Sequence, residues 1–218
     1  MHLKTSFNIL AVACLLVINP AHAQPRESIE GIHYQALPNS LPTETAEDVI
    51  EVRELFWYGC TECFTLEPIT TSYRDGVRGD VKMIRAPAVW NDIMATHARL
   101  YYTAVAVNTE DRLHQAAFTA IHEDLNPLRS EAQIRALFLE NGVSTEDFET
   151  AWQSEEVINA VQQARLRTGD YAITKLPSMI INGRYIVSHN EKVHNHVELN
   201  IAVNMVIRNL RDERRTDF

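Results

Sequence analysis

Two cysteines three positions apart, Cys60 and Cys63, are the residues whose type and spacing can do chemistry in this chain. Residues 49–58, a run rich in β-branched and aromatic side chains, lead into them and predict a strand. From Cys60 onward, Cys63, Phe64 and Leu66 suit one helical face, with Pro68 predicting a kink or a break. A Cys-x-x-Cys at a strand-to-helix junction is the arrangement thiol exchange requires. The two intervening residues let the sulfurs bond, and the first sulfur sits over unpaired N–H groups at the positive end of the helix. That field favours thiolate, so Cys60 reads as the attacking group with a lowered pKa and Cys63 as the sheltered residue that resolves the mixed disulfide.

Two other readings of the pair stand beside this one. Half a zinc site needs a second cysteine pair, which the chain lacks. Its nearest histidine group is His189, His194 and His196, far along the chain and expected in the loop before the last helix. A purely structural disulfide closing so short a loop restricts the unfolded chain very little. The third cysteine, Cys14, lies in a segment that reads as an export signal: Lys4, an apolar run over residues 9–18, and Ala21-His22-Ala23 as a cleavage pattern. That run is too short to span a bilayer. Ala11-Val12-Ala13-Cys14 faintly resembles a lipoprotein cleavage site, but it lacks the usual leucine and the apolar run continues past it, so Cys14 reads as part of the run. The formal net charge of −9 argues against nucleic acid and anionic lipid as partners.

The elements that must hold the pair follow in order. Residues 24–50 read as a polar arm with a short strand near His33-Tyr34, and residues 81–85 as a second strand ended by Pro87. Residues 90–168 read as consecutive helices. Ile93, His97, Leu100, Tyr101 and Ala104 share one face; Leu113, Ala116, Ala117, Ala120 and Ile121 share another; Trp152, Val157, Ile158 and Val161 continue the buried side. Ser130 with Gln133 forms a capping box, Asn141-Gly142 a stop, and Ser144 with Asp147 a further cap. Strand signals return at 178–181 and 184–187, joined by a two-residue Asn182-Gly183 turn, and a last helix over 193–210 turns Val197, Ile201 and Met205 inward. This order predicts a small α/β domain interrupted by a helical insertion. Directly before the returning strand, Pro177 after Leu176 reads either as a strand-opening proline or as a cis peptide facing the cysteines, with backbone groups free to pair with an extended substrate.

Glu54 to Cys63, reading Glu-Leu-Phe-Trp-Tyr-Gly-Cys-Thr-Glu-Cys, and Leu176 to Tyr185, reading Leu-Pro-Ser-Met-Ile-Ile-Asn-Gly-Arg-Tyr, resemble the DsbA family of periplasmic disulfide oxidoreductases. The resemblance extends over essentially all of residues 24–218, helical insertion included. It implies a thioredoxin-like fold, a central mixed sheet flanked by helices. Residues 1–23 would be the signal, 24–89 and 169–218 the thioredoxin-like domain, and 90–168 the insertion. It implies Cys60 as nucleophile, Cys63 as buried partner and Pro177 as cis-proline, with no cofactor beyond the redox disulfide and no metal. The expected partners are exported proteins with free cysteines and a membrane re-oxidant of the DsbB type. The expected location is the periplasm, after cleavage behind Ala23, as a monomer.

Charged residues also fall where the family keeps them under the active site. Glu54 lies six positions before Cys60, Glu67 seven after it, and Arg85 stands where a lysine is usual. An inward-facing strand acid has a raised pKa unless paired and could relay the proton of Cys63; equally, Glu54 could form a local ion pair with Arg85. Two departures bear on function. The dipeptide between the cysteines is usually Pro-His and here is Thr61-Glu62, which exchanges a potential cation for a carboxylate beside the sulfur. At about 6 Å and an effective dielectric near 20, that repulsion is at most about 3 kcal/mol. Even about 1.4 kcal/mol of lost preference for the reduced form is worth about 30 mV, so a weaker oxidant is expected. Leu176 stands where valine or threonine is usual and puts substrate range in doubt. A disulfide reductase or isomerase is therefore the alternative within the same chemistry. Outside it, a copper or zinc carrier using Cys60, Cys63 and a histidine, or a chaperone for exported chains, remains.

Overall fold

The computed structural model describes residues 28–77 and 79–216. The proposed signal, its cleavage site and Cys14 lie outside the described residues. In chain order the elements are β1 (Gln35–Ala36), β2 (Ile50–Phe56), α1 (Thr61–Gly76), β3 (Val81–Pro87), α2 (Asp92–Ala106), α3 (Glu110–His122), α4 (Glu131–Glu140), α5 (Thr145–Trp152), α6 (Glu155–Asp170), β4 (Ser178–Ile181), β5 (Tyr185–Ser188) and α7 (His196–Thr216). The five strands form one mixed sheet in the order β1-β5-β4-β2-β3. Strands β2 and β3 run parallel, and β2–β4, β4–β5 and β1–β5 are antiparallel. This is the thioredoxin-like arrangement with a helical insertion, and among the described residues no helix is long and apolar enough to cross a membrane.

Strand β2 delivers the cysteines, and every one of its residues is buried. With side chains alternating between faces, Ile50, Val52 and Glu54 point one way and Glu51, Arg53 and Leu55 the other. Ile50 and Val52 pack with Leu66 of α1 and with Leu199, Val203, Val206 and Leu210 of α7. On the opposite face Leu55 packs with Ala86, Tyr171 and Ile180, and the buried Arg53 is neutralised by Glu51 at 2.8 Å and Glu44 at 3.1 Å. Burial on both faces places the charged Glu51, Arg53 and Glu54 inside, where each needs a partner or, for an acid, a retained proton. Pro87 ends β3 at the sheet edge, where its missing N–H deprives no further strand.

The helices over Asp92–Asp170 are continuous with the cysteine-bearing segment. One cluster joins Phe56, Tyr58 and Cys63 to Leu100, Leu113, Phe118, Ile134, Phe138, Phe148 and Trp152. The helix ends expected from sequence form: Ser130 and Gln133 make a capping box, and Ser144 accepts from the Asp147 N–H. Asn141 caps α4, with Gly142 at φ 79°.

Four expectations need correction. Helix α1 passes through Pro68 without a break, because Leu66 and Thr70 on either side of it are buried and Ile69 packs on the same core. In α7 the inward row is Leu199, Ala202, Val203, Val206, Ile207 and Leu210. Met205 is buried too, but Val197 and Ile201 face outward at 63% and 39% exposure, since they lie roughly half a turn from Leu199 on the helical wheel. Ile158 of α6 is likewise 48% exposed, one position past the buried Val157. Finally, Ile181 pairs with Tyr185, so three residues join β4 and β5 instead of two.

Within that connection Asn182 and Gly183 both have positive φ, at 51° and 61°. A Cβ on Gly183 would sit 2.0 Å from the Leu41 carbonyl oxygen, and the Gly183 carbonyl accepts from the Leu41 N–H at 2.9 Å. Thus Gly183→Ala combines a disfavoured φ with a backbone clash. We expect a loss of about 2 kcal/mol or more, read as a fall in Tm of roughly 4–8 °C; an unchanged Tm would show that the Leu41 arm yields freely.

Candidate functional site

The redox pair sits where β2 hands over to α1. Cys60 is the N-cap of α1, in extended conformation at φ −90° and ψ 112°, and its Sγ accepts from the Cys63 backbone N–H at 3.1 Å. The turn before it is tight: the Cys60 N–H bonds to the Trp57 carbonyl at 2.9 Å, and a Cβ on Gly59 would collide with the Trp57 indole at 2.4 Å. Cys60 and Cys63 are joined as a disulfide with Cα atoms 5.2 Å apart. Cys60 is partly exposed, whereas Cys63 is buried within the cluster that runs into the helices. The pair is thus asymmetric, with one sulfur reachable at a helix N-terminus and one enclosed by apolar groups. Leu176 packs against the same cluster as Cys60, and the Leu176–Pro177 peptide is cis.

A charged network lies beneath. Glu67, one helical turn below Cys63, receives the Arg85 Nη2 at 2.6 Å, the His114 Nε2 at 3.0 Å and the Thr71 hydroxyl at 2.7 Å. Arg85 also reaches Asp111 at 2.8 Å and Glu110 at 3.4 Å. Because the Glu67 carboxylate is an acceptor only, His114 donates to it through Nε2 and accepts the Tyr58 hydroxyl at Nδ1, 3.1 Å away. Burial holds His114 below the usual imidazole range, against the opposing pull of Glu67, and leaves it neutral. Burial alone would raise Glu67, but the His114 hydrogen bond and the Arg85 charge outweigh it and hold the carboxyl at about 2. Arg85 stays charged because Glu67 and Asp111 outweigh its own burial.

Glu54 behaves differently. It is the register partner of Arg85 across β2 and β3, yet the Arg85 guanidinium turns to Glu67, Glu110 and Asp111. Among the described residues Glu54 has no ion pair, so the local Glu54–Arg85 bridge does not form. Burial, reinforced by the nearby charge of Glu67 and only partly offset by Arg85, raises the Glu54 carboxyl to about 8. Two acids at one site are therefore driven apart, one ionised throughout and one protonated at neutral pH.

Thr61 and Glu62 are exposed at the mouth of the site. Glu62 is not alone: the His196 Nε2 lies 3.9 Å from its carboxylate, and the His196 ring sits 5.2 Å from that of His189. His194, by contrast, turns to Glu198 at 3.1 Å. Chain distance concealed this grouping, since 134 positions separate Glu62 from His196. Among the described residues, Glu62, His189 and His196 are the grouping that could hold a metal ion.

Sequence reasoning missed His114, Tyr58, Glu110 and Asp111. A signal existed for one of them: His114 lies between Leu113 and Ala117 on the inward face of α3, where an imidazole needs a polar partner.

Residues 83–199 match the DSBA-like thioredoxin domain family, a stretch that begins after the cysteine pair. The chain is 31% identical over 176 residues to a thiol:disulfide interchange protein DsbA of Pseudomonas syringae pv. tomato, covering 81% of each protein. It is 32% identical over 155 residues to the Azotobacter vinelandii protein of the same name, covering 71% of this chain and 72% of that one. The crystal structure of Pseudomonas aeruginosa DsbA superposes with a TM-score of 0.80 at 26% identity, over 85% of this chain and 95% of that one.

The two acids have opposite pH signatures. Glu54 binds its proton more tightly folded than unfolded, so its favourable contribution is complete below about 4.5 and is lost as pH rises to about 8. Glu54→Gln should flatten that decline and raise stability at pH 9 by several kcal/mol, measured by denaturant unfolding. Glu67 contributes above about 4.5 and loses its effect as pH falls towards 2, so Glu67→Gln should narrow the acid-side loss instead. Parallel pH profiles for the two variants would contradict the assignment.

Proposed function

The chain belongs to the DsbA-like thioredoxin family and is a thiol:disulfide oxidoreductase, and we propose that it oxidises cysteine pairs of exported proteins through a mixed disulfide at Cys60. The observation that carries this is the asymmetry of the pair: Cys60 is partly exposed and caps a helix, and Cys63 is enclosed. A substrate thiolate attacks the Cys60 Sγ, the Cys60–Cys63 bond breaks, and Cys63 leaves with the electron pair. A second substrate thiolate then attacks the substrate sulfur of the mixed disulfide and expels Cys60 as a thiolate. The substrate loses two electrons and two protons, and the enzyme is left reduced. The helix terminus and the Cys63 N–H stabilise the departing Cys60 anion, which drives the reaction towards substrate oxidation.

Cys63 leaves into apolar surroundings and needs a proton. We assign its supply to Glu54, which keeps its proton at neutral pH. Glu67 and Arg85 hold the charge pattern of the site, with Glu67 too acidic to deliver a proton. Leu176 and Pro177, against the same cluster, are assigned to contact with the substrate chain. The signal-like residues 1–23 support a periplasmic location, in which a membrane partner of the DsbB type would restore the disulfide.

A weaker oxidant, working as reductase or isomerase, is the second reading, and Glu62 favours it. The Glu62 carboxylate lies 3.9 Å from the His196 Nε2, at the mouth of the site beside Cys60. Equilibration with glutathione measures the outcome. Glu62→His should raise the reduction potential by about 30 mV or more, while Cys60→Ser should abolish exchange. A wild-type potential close to that of thioredoxin, about −270 mV, would remove the oxidant assignment and support the reductase.

A further inference from the structure

Two stretches remote in sequence converge beside the redox pair. Glu62 comes from the first turn of α1, His189 follows the end of β5, and His196 opens α7. One nitrogen from each ring and a carboxylate oxygen of Glu62 lie within 4.8 Å of one another. The two rings are 5.2 Å apart, tilted at 32° to one another.

The hydrogen bonds around His196 fix its tautomer. The Thr65 hydroxyl has a single proton, directed at the carbonyl oxygens of Thr61 and Glu62 at 3.2 and 3.1 Å. Its oxygen therefore accepts from the His196 Nε2–H, 3.0 Å away, and in that tautomer Nδ1 carries the lone pair. That Nδ1 is buried with no partner among the described residues, and so is Nε2 of His189. Two buried imidazole nitrogens left unsatisfied on adjacent rings are a cost that ordinary packing does not explain. Lys175, the neighbouring cation, is turned to the His189 carbonyl at 2.7 Å.

We propose that Glu62, His189 and His196 bind a divalent transition-metal ion of the Zn²⁺ class. Two imidazoles and one carboxylate, with a further position for water, are a donor set that such ions accept. Bonds of about 2.0–2.1 Å in tetrahedral geometry place donors roughly 3.3 Å apart. The cluster must therefore close by about 1–1.5 Å, and the exposed Glu62 side chain has the freedom to do so. Thr65 would hold the His196 ring in orientation from behind. The ion would sit on the dipeptide between the cysteines and neutralise the carboxylate nearest Cys60. Neither sulfur is a ligand, so the ion can bind with the Cys60–Cys63 disulfide intact.

The test uses untagged protein with the Cys60–Cys63 disulfide intact, so that no thiol can bind metal, titrated with Zn²⁺ by calorimetry at neutral pH. One equivalent should bind. Affinity should fall at least tenfold in His189→Ala, His196→Ala and Glu62→Gln, and stay within twofold in His194→Ala. In the unsubstituted protein, Co²⁺ should shift the ring signals of His189 and His196 and leave those of His97 and His114 in place, a readout that needs no variant to fold. Absence of saturable one-equivalent binding, affinity unchanged on losing either histidine, or Co²⁺ shifts elsewhere would overturn the proposal. Exchange with glutathione, measured on the same preparation without metal, reports separately on the redox assignment.

Discussion

The structure turns on one contact: a sulfur placed where a side-chain oxygen normally caps a helix. Cys60 accepts the Cys63 N–H at the start of α1, and the unpaired N–H groups of the first turn face it. A helix terminus stabilises anions by roughly 0.3–1 kcal/mol at the surface and up to about 2 kcal/mol when partly buried, on top of the hydrogen bond itself. The geometry requires β2 to end just short of the helix, Gly59 to admit the Trp57 ring, and α1 to stay anchored against the sheet. Burial of both faces of β2 serves that end, because a strand free to slide would move the cap.

Beneath the cap, the protein tolerates a buried concentration of charge that costs stability unless each group is matched. Arg85 is matched by Glu67, Glu110 and Asp111, and Glu67 in turn by His114 and Thr71. Removing the buried Arg85 or Glu67 leaves its partner uncompensated, typically a loss of about 3–5 kcal/mol, whereas the exposed Asp111 contributes far less. Glu54 meets the same problem by keeping its proton. Neighbouring acids with separated pKa values are a common arrangement where protons must be moved, and Glu67 follows Cys63 by one turn of α1.

Local features were legible in the sequence. The Cys-x-x-Cys, the Ser130–Gln133 and Ser144–Asp147 caps and the Asn182-Gly183 turn all depend on residues a few positions apart, and the chain order of strands and helices gave the α/β arrangement with its helical insertion. Convergence over distance was not legible. Arg85 comes from β3, Glu67 from α1, and Glu110 and Asp111 from α3, and no spacing rule announces that they meet. The same holds for Glu62 with His189 and His196, and for α7, where Val197 and Ile201 share a helical spacing with Met205 while packing selects the row through Leu199 and Val203. Pro68 shows the converse: local propensity predicted an interruption, and tertiary burial overrode it.

The central claim, that the helix end makes Cys60 an acidic thiol, is tested most directly by following thiolate absorbance of the reduced protein as pH is lowered. The account predicts a thiolate that persists below pH of about 7 and disappears in Cys60→Ser but not in Cys63→Ser. A thiolate that forms only above about pH 8, as in an unperturbed cysteine, would contradict it.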